Sequence, residues 1–249
     1  MLKVKDVYDF LDFLAPYNTA AEWDNTGLSV GSFDSDVSKI LVALDVTNDV
    51  IEKAKSIGAD LVITHHPLIF NPLKSVEKGT VSYNAVSSGI NFISSHTCLD
   101  KAFAGVNDCL ARKLGIKNTY TSQYDEFLKI GTVEKTTPFE FAEKIKTVLG
   151  GTVRYTDENK SIEKVGFCSG SGGDCIFGAK LENVDAFVTG DASHHDFLNA
   201  HETGISFFAA GHFETENPVT DYLYRCLKEQ YSGEAEIELY SERNIIKSV

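Results

Sequence analysis

Six of the seven histidines in the 249-residue chain stand where chemistry can be done. His65 and His66 are adjacent and close the apolar run Leu61-Val-Ile-Thr-His-His-Pro67, while His96 and His212 are each followed four residues on by a carboxylate, Asp100 and Glu216. These six side chains offer imidazole nitrogens and carboxylate oxygens, with no thiolate among them. Such a donor set suits a borderline divalent ion such as zinc, iron, manganese or nickel, without choosing among them. A structural zinc site would more often draw on cysteines. Two carboxylates, one able to bridge, and several histidines are enough for two ions about 3.5 to 4 Å apart that jointly activate a water. The competing reading of His65 and His66 alone is a pair hydrogen-bonded to nearby carbonyls. His194 and His195 follow Ser193, a helix-capping residue type. Their reading is open between a direct catalytic part and a helix start that supports the site from outside.

Strand ends must deliver these groups. Leu61 to Thr64 reads as a buried strand stopped by Pro67, so His65 and His66 sit at its carboxyl end, where open α/β sheets place their sites. Neighbouring strand residues point to opposite faces, so both histidines can serve one centre only where the strand breaks into a loop. Before it come an amphipathic helix over residues 3–14, the turn-rich Glu22-Trp-Asp-Asn-Thr-Gly-Leu28, and a strand, Ile40 to Leu44, ending at Asp45. By residue type, Asp24, Asn25 and Gly27 make a tight surface turn. A helix capped by Thr47 and closed by Gly58 then leads to the histidine strand, giving a right-handed parallel crossover. A short helix from Thr80 and a third strand, Ile90 to Ile93, run out towards His96 and Asp100.

The second half repeats the first. Ala85 to His96 parallels Ala200 to Gly211 in helix end, glycine and strand, and the second copy places His212 one position later than His96. Asp60-Leu-Val-Ile-Thr64 parallels Asp185-Ala-Phe-Val-Thr189, with Gly190-Asp191 where the first copy has His65-His66. Two related α/β halves with acidic and imidazole groups at matching strand ends imply a shared cleft. The expected fold is therefore α/β, two related domains whose sheets are flanked by helices, with a dinuclear metal site in the cleft between them. The first domain is expected over 1–125 with 212–249 and the second over 126–211. Thr137-Pro-Phe-Glu140 signals a helix start in the second domain. The loop Ser169-Gly-Ser-Gly-Gly-Asp174 can either cradle an anion with its amides or serve as a tight connection, and it lacks the Gly-Lys-Ser/Thr of a nucleotide-binding loop.

Composition bounds the function. A formal charge of −13 disfavours broad binding to nucleic acid or anionic lipid. No apolar run approaches the roughly 18 residues of a membrane span, and the charged amphipathic start is unlike a signal peptide, so a cytoplasmic protein is expected. Five cysteines without a C-x-x-C pair suggest neither a disulfide framework nor a zinc knuckle.

The ordered series Trp23-Asp-Asn-Thr-Gly-Leu28, Thr64-His-His-Pro67, His96-Thr-Cys-Leu-Asp100, Gly170-Ser-Gly-Gly173, Thr189-Gly-Asp-Ala-Ser-His-His195 and Gly211-His-Phe-Glu-Thr-Glu216 resembles the GTP cyclohydrolase 1 type 2 homologs. These are also called the NGG-interacting-factor-three-like family. The resemblance spans nearly the whole chain and its length is similar to short members without an inserted domain. It implies a pair of α/β domains, two divalent metal ions held by His65, His66, Asp100, His212 and Glu216, and assembly as a toroidal homohexamer with the sites facing an inner cavity. His96 falls at the family's site-adjacent histidine and is expected either to support the ligands from outside or to face substrate. Asp191 replaces a glutamate often found after Thr-Gly.

Three functions compete. One is a metal-dependent hydrolase acting on a small molecule, nucleotide-like substrates among the candidates, with His96, His194 and His195 as the candidate catalytic histidines. Another is a non-catalytic regulatory or trafficking protein that binds metal as cargo or structure. The third is a scaffold for proteins or single-stranded nucleic acid, which the net charge disfavours.

Overall fold

The computed structural model describes residues 1–158 and 161–247. Two compact units emerge, one of residues 1–105 with 219–243 and the other of 106–218 with 244–249. In chain order the first runs α1 (Val4–Leu14), β1 (Gly27–Val30), β2 (Lys39–Ala43), α2 (Asn48–Ile57), β3 (Leu61–Thr64), α3 (Val81–Ser87), β4 (Asn91–Ser94) and α4 (Thr97–Lys101). The second runs α5 (Val106–Leu114), β5 (Lys117–Thr121), β6 (Lys129–Thr136), α6 (Pro138–Leu149), β7 (Arg154–Tyr155), β8 (Ile162–Cys168), α7 (Ile176–Leu181), β9 (Ala186–Thr189), α8 (His194–Thr203), β10 (Ser206–Ala209) and α9 (His212–Glu216). The chain then returns to the first unit with α10 (Pro218–Gln230) and β11 (Glu236–Leu239).

Each unit is a mixed sheet flanked by helices, in the order β1-β4-β3-β2-β11 in one and β5-β6-β8-β9-β10-β7 in the other. The repeat read from sequence is visible in the pairing. Parallel β2, β3 and β4 correspond to parallel β8, β9 and β10, and each trio is edged by an antiparallel strand, β1 or β7. Asp60 and Asp185, matched in sequence, do the same work. Each carboxylate accepts two consecutive backbone N–H groups at the start of the adjacent strand, Ser38 and Lys39 in one unit, Glu163 and Lys164 in the other.

Local signals explain the elements between. Thr47 Oγ1 accepts from Val50 N–H at 3.2 Å to start α2, and Gly58, at φ +68°, ends it. Val50, Ile51 and Ala54 face Leu41, Ala43 and Val62 in the core. Ser193 and Asp196 form a reciprocal capping box at α8, as Thr137 and Glu140 do at α6. Phe167, Ala186, Val188 and Phe208 build a core on one face of the second sheet, and Phe187 and Phe207 on the other. Each fully buried side chain of this size stabilises the fold by about 1.5–3 kcal/mol.

Three strands escape pattern reading. The stretch expected to be only a turn runs into β1, held to β4 by pairing rather than by an alternating pattern. All five residues of β5 are exposed, so no apolar rhythm marks it; its pairing with β6 sets α5 and β5 in the second unit, on the far side of the boundary expected near residue 125. β11 joins the open edge of β2 in parallel. Among the described residues no helix is long and apolar enough to cross a membrane.

Candidate metal centre

In the first unit, β2, β3 and β4 end in register, Ala43 beside Thr64 and Thr64 beside Ser94. The ladder continues past the strand ends, with His66 N–H donating to the Leu44 carbonyl at 3.0 Å and Ser95 N–H to the Thr64 carbonyl at 2.9 Å. Asp45, His65, His66 and His96 therefore gather at one edge. Thr64 Oγ1 donates to the His66 carbonyl at 2.7 Å, bending the chain just where two adjacent side chains must turn to one side. The ring centroids of His65, His66 and His96 lie 4.8, 5.1 and 5.5 Å apart, and one nitrogen from each falls within 4.8 Å of the others.

Each ring is oriented through Nδ1. His65 Nδ1 lies 3.0 Å from the Ser95 carbonyl oxygen, His66 Nδ1 lies 2.8 Å from Asp45 Oδ1, and His96 Nδ1 lies 2.9 Å from Asp24 Oδ1. A carbonyl and a carboxylate only accept, so Nδ1 carries the hydrogen and, in neutral imidazole, Nε2 keeps its lone pair. Metal-ligating histidines are oriented in this way by their outer partners. Asp100 stands one turn beyond His96 on α4, which is why the spacing is four, and its Oδ1 lies 3.6 Å from His65 Nε2.

Asp24 is the anchor of this edge. Burial alone would raise its pKa, but hydrogen bonds from His96 and from the Thr97 hydroxyl and N–H, with the His96 charge, outweigh burial and hold it at about 2. It is thus a permanent acceptor for His96. Cys98, in the same short helix, is no competing donor. Burial pushes its thiol pKa up, and its sulfur lies 3.6 Å from both the Ser95 and Thr26 hydroxyls.

The second unit repeats the device. His212 opens α9 and Glu216 closes it, with Nε2 and Oε2 3.0 Å apart, and His212 Nδ1 lies 2.8 Å from Asp191 Oδ2. Asp191 occupies the position that the repeat sets opposite His66. The glycine loop before it has a steric task. A Cβ on Gly170, at φ +59°, would stand 2.1 Å from Glu216 Oε1 and 3.3 Å from His212 Nε2. Two of its amides are engaged, Gly170 N–H with Thr215 Oγ1 at 3.1 Å and Gly172 N–H with Thr189 Oγ1 at 3.0 Å. These two bonds tie the loop to Thr215 and Thr189, as a tight connection requires.

The expected residues thus fall in two groups, each described within its own unit: His65, His66, His96 and Asp100 in the first, His212 and Glu216 in the second. His194 and His195 are exposed on the first turn of α8, with ring centroids 5.8 Å apart. Sequence reasoning did not assign Asp24 or Asp45 and left Asp191 open. The signal for Asp45 was its place at the end of β2, level with His65 and His66. Asp24 was hidden in a stretch whose composition reads as a turn.

The chain matches the family described as Duf34/NIF3 (NGG1p interacting factor 3) over residues 2–244. A Clostridium perfringens relative named GTP cyclohydrolase 1 type 2 homolog is 33% identical over 97% of both chains. A Helicobacter pylori relative named GTP cyclohydrolase 1 type 2 is 33% identical, covering 87% of this chain and 88% of its own. The crystal structure of the Staphylococcus aureus protein SA1388 superposes with a TM-score of 0.89 at 26% identity, covering 100% of this chain and 99% of the other.

Proposed function

We propose that this chain, which belongs to the Duf34/NIF3 family, is a metal-dependent hydrolase in which His65, His66, Asp100, His212 and Glu216 hold two divalent ions. The observation that carries the reading is the shared orientation of four histidines, each fixed through Nδ1 by an acceptor so that Nε2 is the donor atom. The donor set supports it, with nitrogen and oxygen atoms close together in each unit and the neighbouring Cys98 thiol kept protonated. Ions bound there would supply an activated water and polarise the bond to be broken.

The rest of the chemistry belongs to the side chains. Asp24 fixes the tautomer of His96, which leaves His96 Nε2 able to take a proton from the substrate side and return it to a leaving group. Ser95 and Asp45 lock the rings of His65 and His66, and Asp191 locks His212, so none must be ordered when substrate binds. Completion of one centre by groups from both units, in a cleft between them, belongs to the same proposal, as does the toroidal homohexamer that the family resemblance implies. The names of the Clostridium perfringens and Helicobacter pylori relatives support a nucleotide-like substrate for the reaction.

The test is metal analysis and a substrate screen on one preparation, spanning nucleotides, cyclic amides and phosphoesters. Turnover that disappears on metal removal and returns on metal addition is expected. Bound metal with no turnover anywhere in the screen would instead favour a regulatory or trafficking role. Substituting His194 and His195 by Ala should leave metal content unchanged and decide through turnover alone whether either acts in the reaction.

A further inference from the structure

The only tryptophan of the chain is not in the core. Trp23 is 63% exposed, and its ring stacks nearly parallel to that of Phe70, itself 47% exposed, at a centroid distance of 6.2 Å and an interplanar angle of 19°. Both rings meet His96, whose centroid lies 6.0 Å from Trp23 and 5.2 Å from Phe70, at steep angles of 70° and 76°. The pair is held in place from behind. Asp24 is bound to His96 and Thr97, the Ala21 N–H donates to Thr97 Oγ1 at 2.9 Å, and Asn25 Nδ2 donates to the Ile69 carbonyl at 2.7 Å. The residue after Ile69 is Phe70, so the same turn that anchors His96 also anchors both aromatic rings.

We infer that Trp23 and Phe70 form a stacking platform for a planar nitrogen heterocycle of nucleobase size, beside the histidine proposed to handle protons. This deepens the hydrolase reading by naming the part of the substrate that is recognised, and it rests on that reading only for the role of His96. Flat, exposed, nearly parallel aromatic faces offer stacking surfaces for π-rings. The edge-on imidazole adds a polar group in the plane where a heterocycle carries its nitrogens.

Trp23 reports on its own occupancy, because its fluorescence is the whole tryptophan signal. The metal-loaded full chain, its metal content measured on the same sample, is titrated with guanosine, adenosine, cytidine, GTP and ribose 5-phosphate. At least one nucleoside should quench Trp23, GTP should bind at least as tightly as guanosine, and ribose 5-phosphate should leave the signal unchanged. Phe70→Ala should weaken nucleoside binding about 10- to 100-fold with metal content preserved. The inference is overturned if no nucleoside quenches, if ribose 5-phosphate quenches equally, or if Phe70→Ala binds as the parent does. Emission that shifts with protein concentration and ignores nucleosides would assign the platform to a second copy of the chain and also overturn it. Quenching in a chain that retains no metal would sink the hydrolase reading and leave the platform standing; metal without quenching would do the reverse.

Discussion

Asp45 Oδ1 lies 2.8 Å from His66 Nδ1, so a carboxylate at the end of one parallel strand orients an imidazole at the end of the next. Asp191 does the same for His212, and Asp24 for His96. Outer partners of this kind raise the basicity of the ring and remove its freedom to turn. Replacing Asp45 with Ala should weaken metal binding by about 10- to 100-fold while the fold survives, because Asp45 lies at the surface end of the sheet. Titration of the metal-free protein with Zn²⁺ and Mn²⁺, alongside a thermal melt, checks this. Unchanged affinity would show that Asp45 does not act through His66.

Whether the two groups of donors serve one centre is decided by removing one from each. His66→Ala and Glu216→Ala should each lower bound metal by at least about tenfold, and the double variant should lose little more, since groups acting on one site are not additive. Elemental analysis after dialysis reads this directly. Independent, additive losses would mean two separate sites. His96→Ala, by contrast, should keep its metal and lose turnover, as a proton-handling residue would.

Much of the fold and the placement of the candidate residues was legible because those residues punctuate strongly patterned elements. Leu61 to Thr64 is an unbroken buried run, and the two histidines after it stand out. The match of Asp60 to Thr64 with Asp185 to Thr189 revealed the repeat because both strands face the same packing demands on both sides. What stayed hidden depends on contacts far apart in sequence. Asp24 and His96 are 72 residues apart, and only the pairing of β1 with β4 brings the turn to the histidine. β5 is exposed along its whole length, so no apolar alternation marks it and its place is fixed by hydrogen bonds to β6.

Gly170 is a position where the glycine loop meets the Glu216 carboxylate. At φ +59° it adopts a left-handed conformation that a side chain disfavours, and an added Cβ would stand 2.1 Å from Glu216 Oε1. Gly170→Ala should therefore destabilise the protein by roughly 1–3 kcal/mol and push the Glu216 carboxylate from its place. Gly150, also at positive φ but with open space around its Cβ, is the control, because Gly150→Ala carries the backbone strain without the clash. Metal affinity should fall in Gly170→Ala and hold in Gly150→Ala. Equal affinity in the two would remove the steric role assigned to the loop.

Asp24 also makes stability depend on pH in a defined direction. Its folded pKa of about 2 lies below the ordinary 3.8, so the folded state releases this proton more readily than the unfolded state does. The contribution is fully present above pH 3.8 and is lost as pH falls through the window down to about 2. Its size is on the order of 1–2 kcal/mol, with His96 and Thr97 supplying the hydrogen bonds that ionisation strengthens. Asp24→Asn keeps the shape but turns an NH2 group towards a donor, because Oδ1 and Oδ2 both accept at present, from His96 and Thr97 respectively. The variant should be less stable than the parent at pH 6, and the gap should narrow as urea unfolding is repeated at successively lower pH down to 2. A gap that stays constant across the acid range would mean that the charge on Asp24 contributes nothing and that only its shape holds the turn.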